Sequence, residues 1–86
     1  MYFLYILGSK KFSRHYIGIT EDIENRIAKH NSGSVKSTKA FRPWDMLYRE
    51  RFENKTEARK REIFLKKSAS ARTKLFAKIA NIGPIV

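Results

Sequence analysis

Cysteine is absent from this chain of 86 residues. Disulfides, thiolate metal sites and a cysteine nucleophile are therefore excluded, although that absence does not fix the compartment. No apolar run approaches the roughly 20 residues that a membrane-spanning helix needs. The apolar start, Met1 to Leu7, has no basic leader and is too short for a secretory signal. The expectation is a soluble, cytoplasmic protein, at most associated with the nucleoid. Internal repeats and low-complexity tracts are also missing. Acidic residues are scarce, 8 Asp and Glu against 19 Lys and Arg, which leaves a formal net charge of +11.

What is present is enough for one folded domain. Hydrophobic residues make up 42% and aromatics 13%, more than a disordered tail carries. The length leaves room for a single domain, expected over residues 1–80 with a tail over 81–86. The basic excess attracts polyanions and releases their counterions on binding, the usual origin of affinity for DNA or RNA. Between Lys55 and Lys78 only Glu57 and Glu62 stand against the bases, most of which are expected to hold a phosphate backbone. A membrane surface is the poorer partner, because no helix pairs its bases with a large apolar face.

Tyr2 to Leu7 reads as a buried strand, Gly8 to Lys11 as a turn, and Arg14 to Ile19 as a second strand of a hairpin. On that second strand Tyr16 and Gly18 share one face, and Ile17 and Ile19 the other. Thr20 is a good N-cap for a helix running to about His30, with Asn31-Ser32-Gly33 ending it. Ser34 to Arg42 is polar and basic and reads as an exposed loop closed by Pro43. A third strand follows over Trp44 to Phe52. Asn54 and Glu57 form a capping-box pattern for a second helix reaching about Lys67. A shorter third helix carries Leu75, Phe76 and Ile79, and Gly83-Pro84 breaks what remains. The order ββαβαα implies an α+β domain, a small sheet flanked by about three helices.

Several polar residues sit where apolar ones are expected. The first helix buries Ile23 and Ile27, and Arg26 and His30, four residues apart, border that face. Either can be ordinary, an arginine covering apolar surface with its stem or a histidine satisfied near a helix end. On the second helix Ala58, Leu65 and Ala69 form a stripe into which Glu62 intrudes. An ion pair with Arg59, Lys66 or Arg26 would compensate it, and so would a divalent cation shared with a substrate phosphate. Tyr5 and Tyr16 lie mid-strand on adjacent strands, where phenols commonly anchor a core. Two phenols, an arginine, a histidine and a carboxylate on a basic surface also suit phosphodiester hydrolysis.

This set and its order resemble the GIY-YIG nuclease family. The second signature stands intact as Tyr16-Ile17-Gly18, and the first survives as Phe3-Leu4-Tyr5, with its tyrosine kept and its glycine and isoleucine replaced. The family's helix arginine matches Arg26, the histidine one turn later His30, and the metal-binding glutamate Glu62. The likeness covers about Met1 to Leu75 and is strongest to small stand-alone members related to the N-terminal catalytic domain of the excinuclease. Some relatives place lysine where this chain has Ile19, and others an asparagine beyond the glutamate, where only Asn81 is found.

The resemblance implies a three-stranded antiparallel sheet flanked by helices, with the site on one sheet face. It implies that Glu62 holds Mg²⁺ or Mn²⁺ against the scissile phosphate, that Arg26 stabilises charge there, and that His30 supports the network. Tyr5 or Tyr16 would orient or deprotonate the attacking water. Gly18 would keep the strand low for the substrate, and Lys36, Lys39, Arg59, Lys66 and Lys67 would contact nucleic acid. The expected function is a divalent-metal-dependent endonuclease acting on DNA, including structured or damaged DNA in repair or recombination, with RNA as the other substrate class. The alternative is a non-catalytic basic nucleic-acid-binding module that keeps the fold. A third reading is a subunit that depends on a protein partner met by Trp44 and the Ser34 to Arg42 loop.

Overall fold

Apolar side chains fill both faces of the first strand, so that strand has to lie in the middle of the molecule. In the computed structural model, which describes residues 1–82 and side chains as far as residue 80, strand β1 (Tyr2–Ser9) is the central one. Strand β2 (His15–Thr20) flanks it on one side and β3 (Trp44–Phe52) on the other, both antiparallel. Helix α1 (Ile23–Ser32) follows β2, and α2 (Lys55–Lys67) and α3 (Ala69–Ile82) follow β3. The result is the expected α+β arrangement with a three-stranded antiparallel sheet and three helices.

The two faces of β1 serve different layers. Leu4 and Ile6 join Ile17, Leu65, Leu75 and Ile79 in a core beneath α2 and α3. Tyr5 and Leu7 point the other way, to Ile23 of α1 and to Trp44. The sheet thus separates an apolar core from a layer that carries phenols and an imidazole. A bulge between Ile6 and Leu7 breaks the pairing with β3, because Ile6 faces Tyr48 while Leu7 faces Met46. The extra residue, Leu47, lays its side chain across Gly8, where a Cβ would come within 2.6 Å of it.

Local chemistry moves several boundaries from their expected places. β1 continues through Gly8 and Ser9, and the turn comes later, where the Ser9 hydroxyl accepts from the backbone N–H of Lys11 and Phe12. Thr20 ends β2 opposite Phe3 and is not the cap of α1. Asp22 is the cap, its carboxylate accepting from Asn25 N at 3.1 Å, while Thr20 Oγ1 accepts from Asp22 N and shapes the turn between them. Asn54 caps α2 as expected, accepting from Glu57 N at 3.0 Å.

Ser68 is extended, which stops α2, and its hydroxyl accepts from Ala71 N to start the next helix. Ala69 therefore opens α3 and is exposed, instead of extending the stripe of α2. At 14 residues α3 is longer than the 13-residue α2, not shorter. Gly83-Pro84 and the side chain of Asn81 lie outside the described residues.

The segment from Ser34 to Arg42 is not a plain exposed loop. It contains a short 3₁₀ turn over Lys39–Phe41, and Thr38 is only 1% exposed. Trp44 is equally withdrawn at 4%, with its indole N–H donating to Thr38 O at 3.0 Å. It anchors the layer under α1 and has no surface left to offer a protein partner. Among the described residues no helix is long and apolar enough to cross a membrane.

Gly33 closes α1 in the left-handed region at φ 85°, where a Cβ is disfavoured, and a Cβ there would also meet the Arg42 guanidinium. Gly33→Ala should lower unfolding free energy by about 1–2 kcal/mol, read as a lower urea midpoint with an unchanged slope. An unchanged midpoint would show that the cap conformation does not matter to stability.

Candidate active site

Tyr5 and Gly18 are direct partners across β1 and β2, and the pairing is sterically forced. A Cβ on Gly18 would fall 2.6 Å from Tyr5 Oη and 3.0 Å from the Tyr16 ring. The glycine makes room for two phenols before it makes room for anything else. The Tyr5 and Tyr16 ring centroids lie 6.1 Å apart, and the His30 ring lies 5.9 Å from the first and 4.7 Å from the second. One turn earlier on α1, Arg26 points its Nε at Tyr5 Oη, 3.4 Å away.

His30 does more than border the buried face, for it is completely buried. Both ring nitrogens are engaged, Nε2 with Tyr5 Oη at 3.0 Å and Nδ1 with Thr38 Oγ1 at 2.8 Å. Thr38 Oγ1 also lies within hydrogen-bond reach of Val35 O, at 3.3 Å. Arg26 Nε donates to Tyr5 Oη, so Arg26, Tyr5, His30 and Thr38 form one connected hydrogen-bonded chain. With its proton on Nδ1, the imidazole offers a lone pair at Nε2 to the Tyr5 hydroxyl.

Electrostatics keep that chain in its neutral form. Burial pushes the Tyr5 phenol up to about 12, against the opposing hydrogen bond from Arg26. Burial also holds His30 below the ordinary imidazole value, and the positive charge of Arg26 adds to the effect. At neutral pH Tyr5 keeps its proton and the His30 imidazole is neutral.

Glu62 stands on α2 between Ala58 and Leu65, both fully buried, and is itself 5% exposed. Its two oxygens are held by Arg59 Nη1 and Lys66 Nζ, each at 2.9 Å. The expected ion pair is thus present, twice over, and Arg26 is not part of it. Glu62 nevertheless opens on the same cleft as the phenols, a space of about 290 Å³ lined by Tyr5, Tyr16, Gly18, Arg26 and Glu62. Tyr2, Ile19, Lys55 and Arg59 complete the wall, so α2 brings cations to the side where Ile19 provides none.

The remaining nucleic-acid candidates divide. Lys66 also borders a shallow hollow with His15 and Arg72. Lys36 and Lys39 line a separate hollow near the end of α1, and Lys67 is exposed on α2 and lines neither. Lys74 and Lys78 lie on α3, whose Leu75 and Ile79 pack on the opposite face of the sheet. Sequence reasoning missed Tyr2, Lys55 and above all Thr38. Only the pairing of Thr38 with a histidine eight residues earlier distinguishes it from neighbouring serines.

The donor set limits which cation could belong here. Among the described residues no group of three or more His, Asp or Glu could form a metal cage. A single near-buried carboxylate beside phenol oxygens suits a hard ion that keeps waters and shares substrate oxygens, as Mg²⁺ and Mn²⁺ do. The residues fit such an ion.

The chain matches the model of the GIY-YIG catalytic domain over residues 1–75. It is 46% identical to a UPF0213 protein of Staphylococcus saprophyticus over 66 residues, 76% of this chain and 79% of that one. A UPF0213 protein of Clostridium perfringens is 44% identical over 68 residues, 78% and 72% of the two chains. The solution structure of a UPF0213 protein from Bacillus halodurans superposes with a TM-score of 0.55 at 30% identity, covering 92% of this chain and 85% of that one. With the fold, the two tyrosines, Arg26, His30 and Glu62 already found together, the chain belongs to the GIY-YIG family of nuclease domains, among its UPF0213 members.

Proposed function

We propose that this protein is a divalent-metal-dependent endonuclease that hydrolyses phosphodiester bonds in DNA, acting in the cytoplasm on branched, nicked or damaged substrates. The observation that carries this reading is the hydrogen-bonded chain Arg26–Tyr5–His30–Thr38, whose first two members line the same cleft as Glu62. A core that merely tolerated its polar groups would not need a buried imidazole linked to a phenol and an arginine that face a cationic, open cleft.

Glu62 is the residue to hold Mg²⁺ or Mn²⁺, and the ion when bound supplies charge neutralisation at the scissile phosphate. Arg59 and Lys66, whose side chains are 55% and 51% exposed, can swing into solvent and release the carboxylate. Arg26 faces the phosphate and stabilises charge developing on its oxygens. A phenol at about 12 is too seldom ionised at neutral pH to act as a base alone. Tyr5 instead passes its proton to His30 Nε2 while its oxygen takes one from the attacking water. The net base is the neutral imidazole, and Tyr5 is the conduit. Thr38 is a positioning residue, since it keeps the imidazole proton on Nδ1 and the lone pair toward Tyr5. Tyr16, on the same face, orients the water.

The double ion pair at Glu62 is what favours the alternative, a binding module without catalysis. Linear, nicked and branched DNA and matched RNA should be incubated with Mg²⁺ or Mn²⁺ beside Glu62→Gln and Arg26→Ala. The expected outcome is DNA cleavage that falls at least about a hundredfold in either variant. Cleavage surviving in both, or tight binding with no cleavage of any substrate, returns the module reading, and cleavage of RNA alone moves the substrate class.

The pH dependence follows from His30. A protonated imidazole cannot accept from Tyr5, so the rate should be level near neutrality and fall as pH drops through a value below the ordinary 6.5. Thr38→Val should reduce the rate about tenfold, the cost of roughly one lost hydrogen bond, and should displace that acidic limb, whereas Thr38→Ser should restore both. An unchanged limb in Thr38→Val would remove Thr38 from the proton path.

A further inference from the structure

A second cationic hollow, of about 480 Å³, lies beyond the C-terminal end of α1 and is lined by Lys11, Lys36, Lys39, Ala40 and Arg42. All four bases are exposed, and among the described residues none of them is in an ion pair. The nearby acid Asp45 is engaged by Lys10 instead. Four unneutralised charges around one concavity repel one another, and a polyanion relieves that repulsion. An exposed aromatic ring stands alongside. Phe12 is 50% exposed, held edge-on against Phe41 at 5.5 Å, and Arg14 covers the Phe41 ring at 4.5 Å. Free cations beside an exposed aromatic face are the combination that holds a single strand, by its phosphates and by one stacked base.

The fold also sets how far this hollow lies from the catalytic cleft. Both are on the α1 side of the sheet, for Phe41 packs with Tyr5 and Trp44 in that layer. From Tyr5 to the end of β1 at Ser9 the strand advances about 13 Å. Along α1, Arg26 and Gly33, across which Arg42 lies, are separated by about 10 Å of helix rise. We infer that the hollow is a second phosphate subsite, which holds the backbone of the strand being cut a few nucleotides from the scissile phosphate, beyond the adjacent linkage. The register rests on the nuclease reading above, because that reading places the scissile phosphate at Arg26. The affinity does not.

Binding is measured by fluorescence anisotropy in EDTA, where cleavage is off, with a labelled single-stranded DNA dodecamer over a range of salt. Two variants of equal charge loss are compared, Lys36→Ala/Arg42→Ala in the hollow and Lys74→Ala/Lys78→Ala on α3. The hollow pair should lose at least about tenfold in affinity and lower the slope of log K against log salt by about 1.4, while the α3 pair changes little. Equal losses in the two pairs overturn the subsite. So does a loss seen only with phosphatidylserine vesicles, which would make the hollow a membrane contact. On a substrate the protein cuts, single methylphosphonate replacements should reproduce the hollow pair's defect only at linkages beyond the one adjacent to the cut. A defect confined to the adjacent linkages overturns the register. Absence of any cleavage defeats the nuclease reading and leaves the dodecamer measurement to decide the subsite.

Discussion

Burying the His30 imidazole is tolerable only because both of its nitrogens are hydrogen-bonded, and that requirement reaches through most of the fold. One bond needs Tyr5 in mid-strand with its ring turned toward α1, which in turn needs a residue without a Cβ at position 18. The other needs Thr38 carried inward on a segment that would otherwise be solvated. Thr38 is itself held through its carbonyl by the indole of Trp44, at the first position of β3. No buried side-chain polar atom among the described residues lacks a partner. Removing one member would leave another unsatisfied at a cost of about 1–3 kcal/mol, so stability and the proposed proton path depend on the same bonds.

The opposite wall of the cleft follows another logic. Glu62 is fixed by its helix, with Ala58 and Leu65 anchored in the apolar core a turn away on either side. Its cationic partners are long, half-exposed side chains on the same helix. The carboxylate is therefore rigid while its counter-charges are exchangeable. On the proposed reading, this suits a group that is ion-paired at rest and exchanges its partners for a divalent cation in use. The same helix packs on the main core, where Leu65 meets Leu4, Ile6 and Ile17.

Much of this was visible in the sequence because it is local. The continuous aromatic and branched run from Tyr2 to Leu7 and helical spacing in α1 and α2 give the elements, and Glu62 stands out by interrupting an apolar stripe. The Tyr16-Ile17-Gly18 signature then ties them to a family. What stayed hidden depends on contacts that local pattern does not encode. Thr20 and Asp22 are both good caps two residues apart, and only the end of β2 at Thr20 decides between them. Thr38 looks like any polar loop residue until α1 and the loop are folded together. Trp44 looks like an available surface aromatic until the space beneath α1 is known to need filling. Gly18 was legible as a place of close approach, but the group that approaches is the protein's own phenol.

The Asn31 side chain accepts from Trp44 N at 2.6 Å and donates to Trp44 O at 3.1 Å, so the last turn of α1 grips the first residue of β3 as another strand would. The stretch between them is thus a closed loop with its ends tied at one point, independent of what its tip contains. Loops of this kind exchange length and composition at little cost to their scaffold. Here Thr38 and Phe41 turn inward and have to be kept in phase, while the exposed side chains around them carry none of the packing of that layer. The protein carries, in effect, an exchangeable loop on a fixed frame, joined to it at the single point where Asn31 grips Trp44.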